Sequence, residues 1–131
     1  MNYKEFNTFC SRFSATTHVV QWGDSHVWKV GGKVFAIGGW SSDKPAFTFK
    51  TSEQDFIFLS ECEGYKPAPY FASRGMKWIQ QIAGNDTDSK TANEKTDADL
   101  RYYLTESYRL VSLGLTKKIQ KELGLNQALF Y

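Results

Sequence analysis

The chain has 131 residues, 16 basic and 14 acidic side chains, a net charge of +2, and 16% aromatic residues. That length buries one core, and the aromatic and apolar content excludes a disordered chain. Two cysteines without CxxC or Cys/His spacing exclude a disulfide scaffold and a zinc finger, no apolar run reaches a membrane span, and so small a charge attracts an anionic partner only if the cations cluster.

Phe6, Phe9, Cys10 and Phe13 recur at three and four residues, which predicts a helix over Lys4–Phe13. The period then changes to two. Thr17–Trp22, His26–Val30 and Lys33–Ile37 read as half-buried strands, with Gly31-Gly32 as a two-residue hairpin turn. Gly38–Pro45 has loop composition, and Ala46–Lys50 resumes a strand.

Thr51 or Ser52 caps a second helix, which carries Phe56, Leu59 and Ser60 inward and stops at Gly64. The next stretch, GYKPAPYFASRGMKW, holds Pro67 and Pro69, which stiffen it into a semi-extended arm running into a strand over Met76–Ile82. Residues 83–99 carry Asp86, Asp88, Glu94, Asp97 and Asp99 and no large apolar side chain, so they read as a solvated loop. From Ala98 the helical period returns in the stripe Leu100, Leu104, Tyr108, Val111 and Leu115. Gly114 breaks it, and Thr116 caps a final helix that Gly124 closes. This order predicts one α+β domain over 1–131, an antiparallel sheet flanked by helices.

Catalytic chemistry is hard to find. His18 and His26 can meet across a hairpin, but two histidines without carboxylates fit edge-strand residues better than a metal site. Cys10 lies on an apolar helical face, where an inert thiol is expected, and neither glycine pair has the phosphate-loop lysine. The expectation is a non-enzymatic protein with no cofactor. The N-terminus MNYKEFNTFC lacks the features of a secretory leader, so a cytoplasmic monomer is expected.

The cations are more informative in position than in number. Lys29, Lys33 and Lys50 belong to strands or their ends, and Lys66, Arg74 and Lys77 to the proline stretch, which has no acid. Lys117, Lys118 and Lys121 belong to the last helix; the first two oppose its macrodipole, which makes sense if an anion docks there. The alternative is lysines kept for solubility. Tyr70, Trp40 and Trp78 are candidates for stacking on bases. A different class of reading places an aromatic pocket between the sheet and the proline stretch, where a protein or small ligand would bind.

Phe9-Cys10, Val27–Val30 with Lys33–Ala36, Pro45-Ala46 leading to Phe49–Ser52, Lys66–Tyr70, Trp78 and Leu100–Tyr108 together resemble the MmcQ/YjbR family, in order and over nearly the whole chain. The resemblance implies a double-wing topology similar to the CyaY/frataxin fold, and DNA binding as the family's expected function. Lys29, Lys33, Lys66, Tyr70, Arg74, Lys77, Lys117, Lys118 and Lys121 are then the candidate DNA contacts. Frataxin-like iron binding would require an acidic first helix, and here that helix offers only Glu5. The acidic stretch around 84–96, expected to be a mobile loop, departs from shorter family members and would repel phosphate nearby.

Overall fold

Asn2 opens the first helix, α1 (Tyr3–Ser11): its side chain accepts from the Glu5 N–H at 2.8 Å, and the Glu5 carboxylate accepts from the Asn2 N–H. The computed structural model describes residues 1–39, 45–82 and 90–127. Four strands follow α1: β1 (Thr16–Gln21), β2 (Ser25–Val30), β3 (Lys33–Gly38) and β4 (Ala46–Lys50). Ser52 caps α2 (Glu53–Ser60) by accepting from the Asp55 N–H. Then come β5 (Tyr65–Pro67), one 3₁₀ turn (Ala72–Arg74), β6 (Trp78–Ile82), α3 (Lys90–Leu113) and α4 (Lys117–Leu123).

The strands form one six-stranded sheet in the order β1-β2-β3-β4-β6-β5, every pair antiparallel. The chain is therefore an α+β fold, as its periodicities predict.

Two elements differ from expectation. The first part of the proline arm is a strand, with Tyr65 opposite Gln81 and Pro67 opposite Ile79. An edge strand tolerates proline because its outer N–H positions need no ladder partner. The helix expected from Ala98 begins at Lys90, inside the stretch read as loop, and residues 83–89 lie outside the described residues. Leu100 and Leu104 are fully buried and hold the helix to the core. Once that nucleus is fixed, each further residue adds a hydrogen bond, and Lys90–Asp99 contains no Gly or Pro to stop it.

One sheet face is packed by helices. Phe47 meets Phe6 of α1 at 5.1 Å, Phe49 stacks on Tyr103 of α3 at 5.7 Å, and Phe35 meets Tyr108 of α3 edge-on. Gly38 leaves room for Phe6, since a Cβ there would lie 2.7 Å from its ring. Alternation sends Val27, Ile37, Thr48 and Gln80 to the opposite face, and all four are buried. Gln80 donates to the Thr48 hydroxyl at 3.2 Å, so this polar pair is satisfied within the sheet.

The β3–β4 pairing ends at Ala36 and Phe49, and there Ser107 of α3 takes over. Its fully buried hydroxyl donates to the Phe35 carbonyl at 2.6 Å and accepts from the Lys50 N–H at 2.8 Å. Ser107→Ala leaves both backbone groups without this partner and is expected to cost about 1–3 kcal/mol. A urea midpoint that does not move would contradict this bridging role.

Candidate nucleic-acid interface

The strand register decides which cations share a place. Val30 pairs with both Thr16 and Lys33, Lys50 pairs with Trp78, and Pro67 with Ile79. Lys33, Lys50 and the residue before β6, Lys77, therefore stand at one end of the sheet. Leu115 and Ile119 approach Gly31 of the β2–β3 hairpin, so α4 packs at the same end with Lys117 and Lys118 exposed. Gly31 itself turns with φ +57°, and a Cβ there would lie 2.7 Å from Leu115. β6 runs the other way, to Ile82, so the stretch that starts the acidic 84–96 segment leaves from the opposite end.

The predicted contacts are thus partly gathered. Lys33, Lys77, Lys117 and Lys118 belong to the basic end, as does Lys50. Lys29 and Lys66 lie on the sheet face away from the helices, by the same alternation that places Gln80 there. Lys121 is exposed in the last turn of α4. Arg74 caps the ring of Tyr70 at 4.5 Å, and Lys77 lies 5.0 Å from the ring of Phe56. Tyr70 is 56% exposed with φ 73°, a strained conformation for a non-glycine residue. Among the described residues, none of Lys33, Lys66, Lys77, Lys117, Lys118 and Lys121 is in ion-pairing contact with a carboxylate, whereas Arg109 is paired with Glu106. Trp40, a further stacking candidate, lies outside the described residues.

A cleft of about 360 Å³ has Lys33 and Lys50 of the basic end in its lining and reaches Trp22 of the β1–β2 turn, which the register sets toward the other end of β1 and β2. Phe71, Met76 and Trp78 come from the proline arm and β6, Trp22 from the β1–β2 turn, Lys33 and Lys50 from the strands, and Leu110 and Val111 from α3. Phe71 stacks on Trp78 at 4.7 Å, which makes the arm a packed wall over the sheet. The part played by Trp22, Phe71 and Met76 was not visible in the sequence, because only the fold brings a turn, an arm and a helix end together. The unusual density of aromatic residues was the available signal.

His18 and His26 do meet: Nε2 of one lies 3.2 Å from Nδ1 of the other, and the rings stack. Asn7 also contacts His26 Nδ1 and accepts from the Trp28 indole N–H. Among the described residues no group of three His, Cys, Asp or Glu side chains can hold a metal ion. Partial burial first, and the neighbouring His26 second, hold the His18 imidazole below its ordinary range. Unfolding frees it to take up a proton below about pH 6.5, so its contribution to stability is present above that pH and lost as pH falls below it. The melting temperature should fall on acidification through this window, and His18→Gln should flatten that slope. An unchanged slope would remove His18 from the explanation. Cys10 is fully buried, and burial pushes its thiol far up, as suits an inert core residue.

No helix among the described residues is long and apolar enough to cross a membrane. The family model described as YjbR matches residues 11–110. The fold is similar to that of Deinococcus radiodurans protein DR2400, which carries a DUF419 domain, with TM-score 0.73 and 20% identity over 98% of this chain and 91% of that one. It is also similar to a Pseudomonas syringae protein, with TM-score 0.59 and 16% identity over 84% of this chain and 98% of that one. No curated protein matches.

Proposed function

The chain belongs to the YjbR family, and we propose that it is a small non-enzymatic DNA-binding protein whose contact surface is the basic end of its sheet. The supporting observation is the register that gathers Lys33, Lys50 and Lys77 beside Lys117 and Lys118, away from the end where the acidic segment leaves. Lysines held at the rim of a folded sheet can neutralise successive phosphates and release their counterions. Lys29 and Lys66 extend this surface along the sheet side away from the helices, and Arg74 with Tyr70 extends it along the proline arm. In this reading the protein is a cytoplasmic monomer and needs no cofactor.

Fluorescence anisotropy with labelled duplex and single-stranded DNA across a salt series tests it. Six phosphate contacts predict a logarithmic salt slope of about −5 for duplex and about −4 for single strands. Absence of binding at low salt, or binding indifferent to salt, would overturn the reading.

The cleft supports a second reading, a module that captures a small aromatic ligand or a protein side chain. It predicts that Trp22→Ala abolishes capture while Lys66→Ala and Lys77→Ala leave it intact. Of the two aromatic residues that a pocket beside the proline stretch would be expected to use, Trp78 lines the cleft and Tyr70 does not.

A further inference from the structure

We propose that the cleft lined by Lys33 and Lys50 receives one unstacked nucleobase of single-stranded DNA, an inference that rests on the DNA-binding reading and adds a strand preference to it. The cleft joins aromatic and apolar walls to these two cations, which belong to the lysine group of the basic end. Its volume of about 360 Å³ falls at the low end of small-molecule sites, which span roughly 300–1,000 Å³. That suits one planar group and excludes a base pair with its stacked neighbours.

The walls match the two halves of a nucleotide. Phe71 is backed by Trp78 with 22° between the ring planes, so its ring is held by packing. Trp22, 49% exposed, and Met76, 40% exposed, bring an indole and an adaptable thioether to the same space. A base face gains from such surfaces whatever its hydrogen-bonding edge, so the site is sequence-tolerant. The ammonium groups of Lys33 and Lys50 would meet the flanking phosphates. Duplex DNA keeps its base faces stacked inside and has none to offer. A phosphate chain without bases satisfies the lysines and leaves the apolar walls wet.

The test compares two 12-nucleotide strands in anisotropy and tryptophan fluorescence, one fully abasic and one abasic except for a central thymidine. A single stacked base predicts about 5- to 150-fold tighter binding of the strand with thymidine, with tryptophan quenching. Trp22→Ala should narrow that gap and leave the salt slope unchanged. Phe71→Leu, which keeps apolar volume over Trp78, should narrow it too and guards against a folding failure. Equal affinity for the two strands would overturn the base site and leave phosphate binding standing. Failure of both strands at low salt would overturn the base site, and failure of a 12-base-pair duplex beside them would overturn the DNA-binding reading as well.

Discussion

Phe6→Ala is expected to lower the unfolding free energy by about 3–5 kcal/mol, the range for removing a fully buried phenylalanine. Phe6 is completely buried and, with Tyr3 of the same helix, packs on Phe47, its own ring at 5.1 Å. Its ring also fills the space that Gly38 keeps open, so β3 cannot close over the void without moving backbone. Set against a domain stability of about 5–15 kcal/mol, a loss of this size leaves the variant marginal. Gly38→Ala approaches the same contact from the other side, placing a methyl 2.7 Å from the ring and costing about 1–3 kcal/mol by overpacking. Combined with Phe6→Ala, the glycine change should cost much less than it does alone, because the ring it strikes is gone. Urea unfolding of the two single variants and the double variant measures this coupling. Phe58, by contrast, is 62% exposed on α2, and Phe58→Ala should stay within about 0.5 kcal/mol. Equal costs for Phe6→Ala and Phe58→Ala would mean that α1 is not pinned to the sheet as described.

Reversing Lys33, Lys77 and Lys117 to glutamate should weaken single-stranded DNA binding by roughly two orders of magnitude at about 0.1 M salt. Each lost phosphate contact takes about 0.7 from the logarithmic salt slope, so three contacts remove about two, and binding driven by counterion release falls by that power of the salt concentration. The comparison is a triple variant with the same change in net charge, Lys4→Glu, Lys95→Glu and Arg101→Glu. Those three cations are exposed on α1 and α3, on the helical side of the molecule. If binding depends on position, the second variant should lose only a few-fold. If it depends on overall charge alone, both triple variants should lose affinity equally, and the basic end would have no special role.

Much of the fold was legible because its signals were local. The change from a helical to a two-residue period marked β1 to β4, Gly31-Gly32 marked the hairpin, and Ser52, Thr116 and Gly124 marked helix ends. β5 was not legible, since three residues containing Pro67 carry no alternation, and only pairing with β6 makes them a strand. The first turns of α3 were hidden for a similar reason: their polar residues have no stripe of their own and are helical by continuation from Leu100. Gln80 and Thr48 could be read as solvent-facing, yet they are buried and satisfy each other across two strands far apart in sequence.

The candidate site divides in the same way. That the cations fall in three groups is plain from the sequence, but their convergence follows from strand order and register, which are long-range properties. β4 and β6 are neighbours although α2 and β5 lie between them in the chain, and that pairing alone sets Lys50 opposite Trp78 and beside Lys77. Trp78 is buried, as expected for a core strand residue, and it also forms the base of the wall that Phe71 completes. One residue thus serves both packing and the cleft.

The most direct measurement is a backbone-amide NMR titration of the intact chain with a single-stranded oligonucleotide at low salt. Binding at the basic end predicts shifts concentrated at Gly31–Val34, Lys50, Phe71–Trp78 and Leu113–Lys118, and their loss as salt is raised. Shifts confined to α1 and the first turns of α3, or no shifts at low salt, would contradict it.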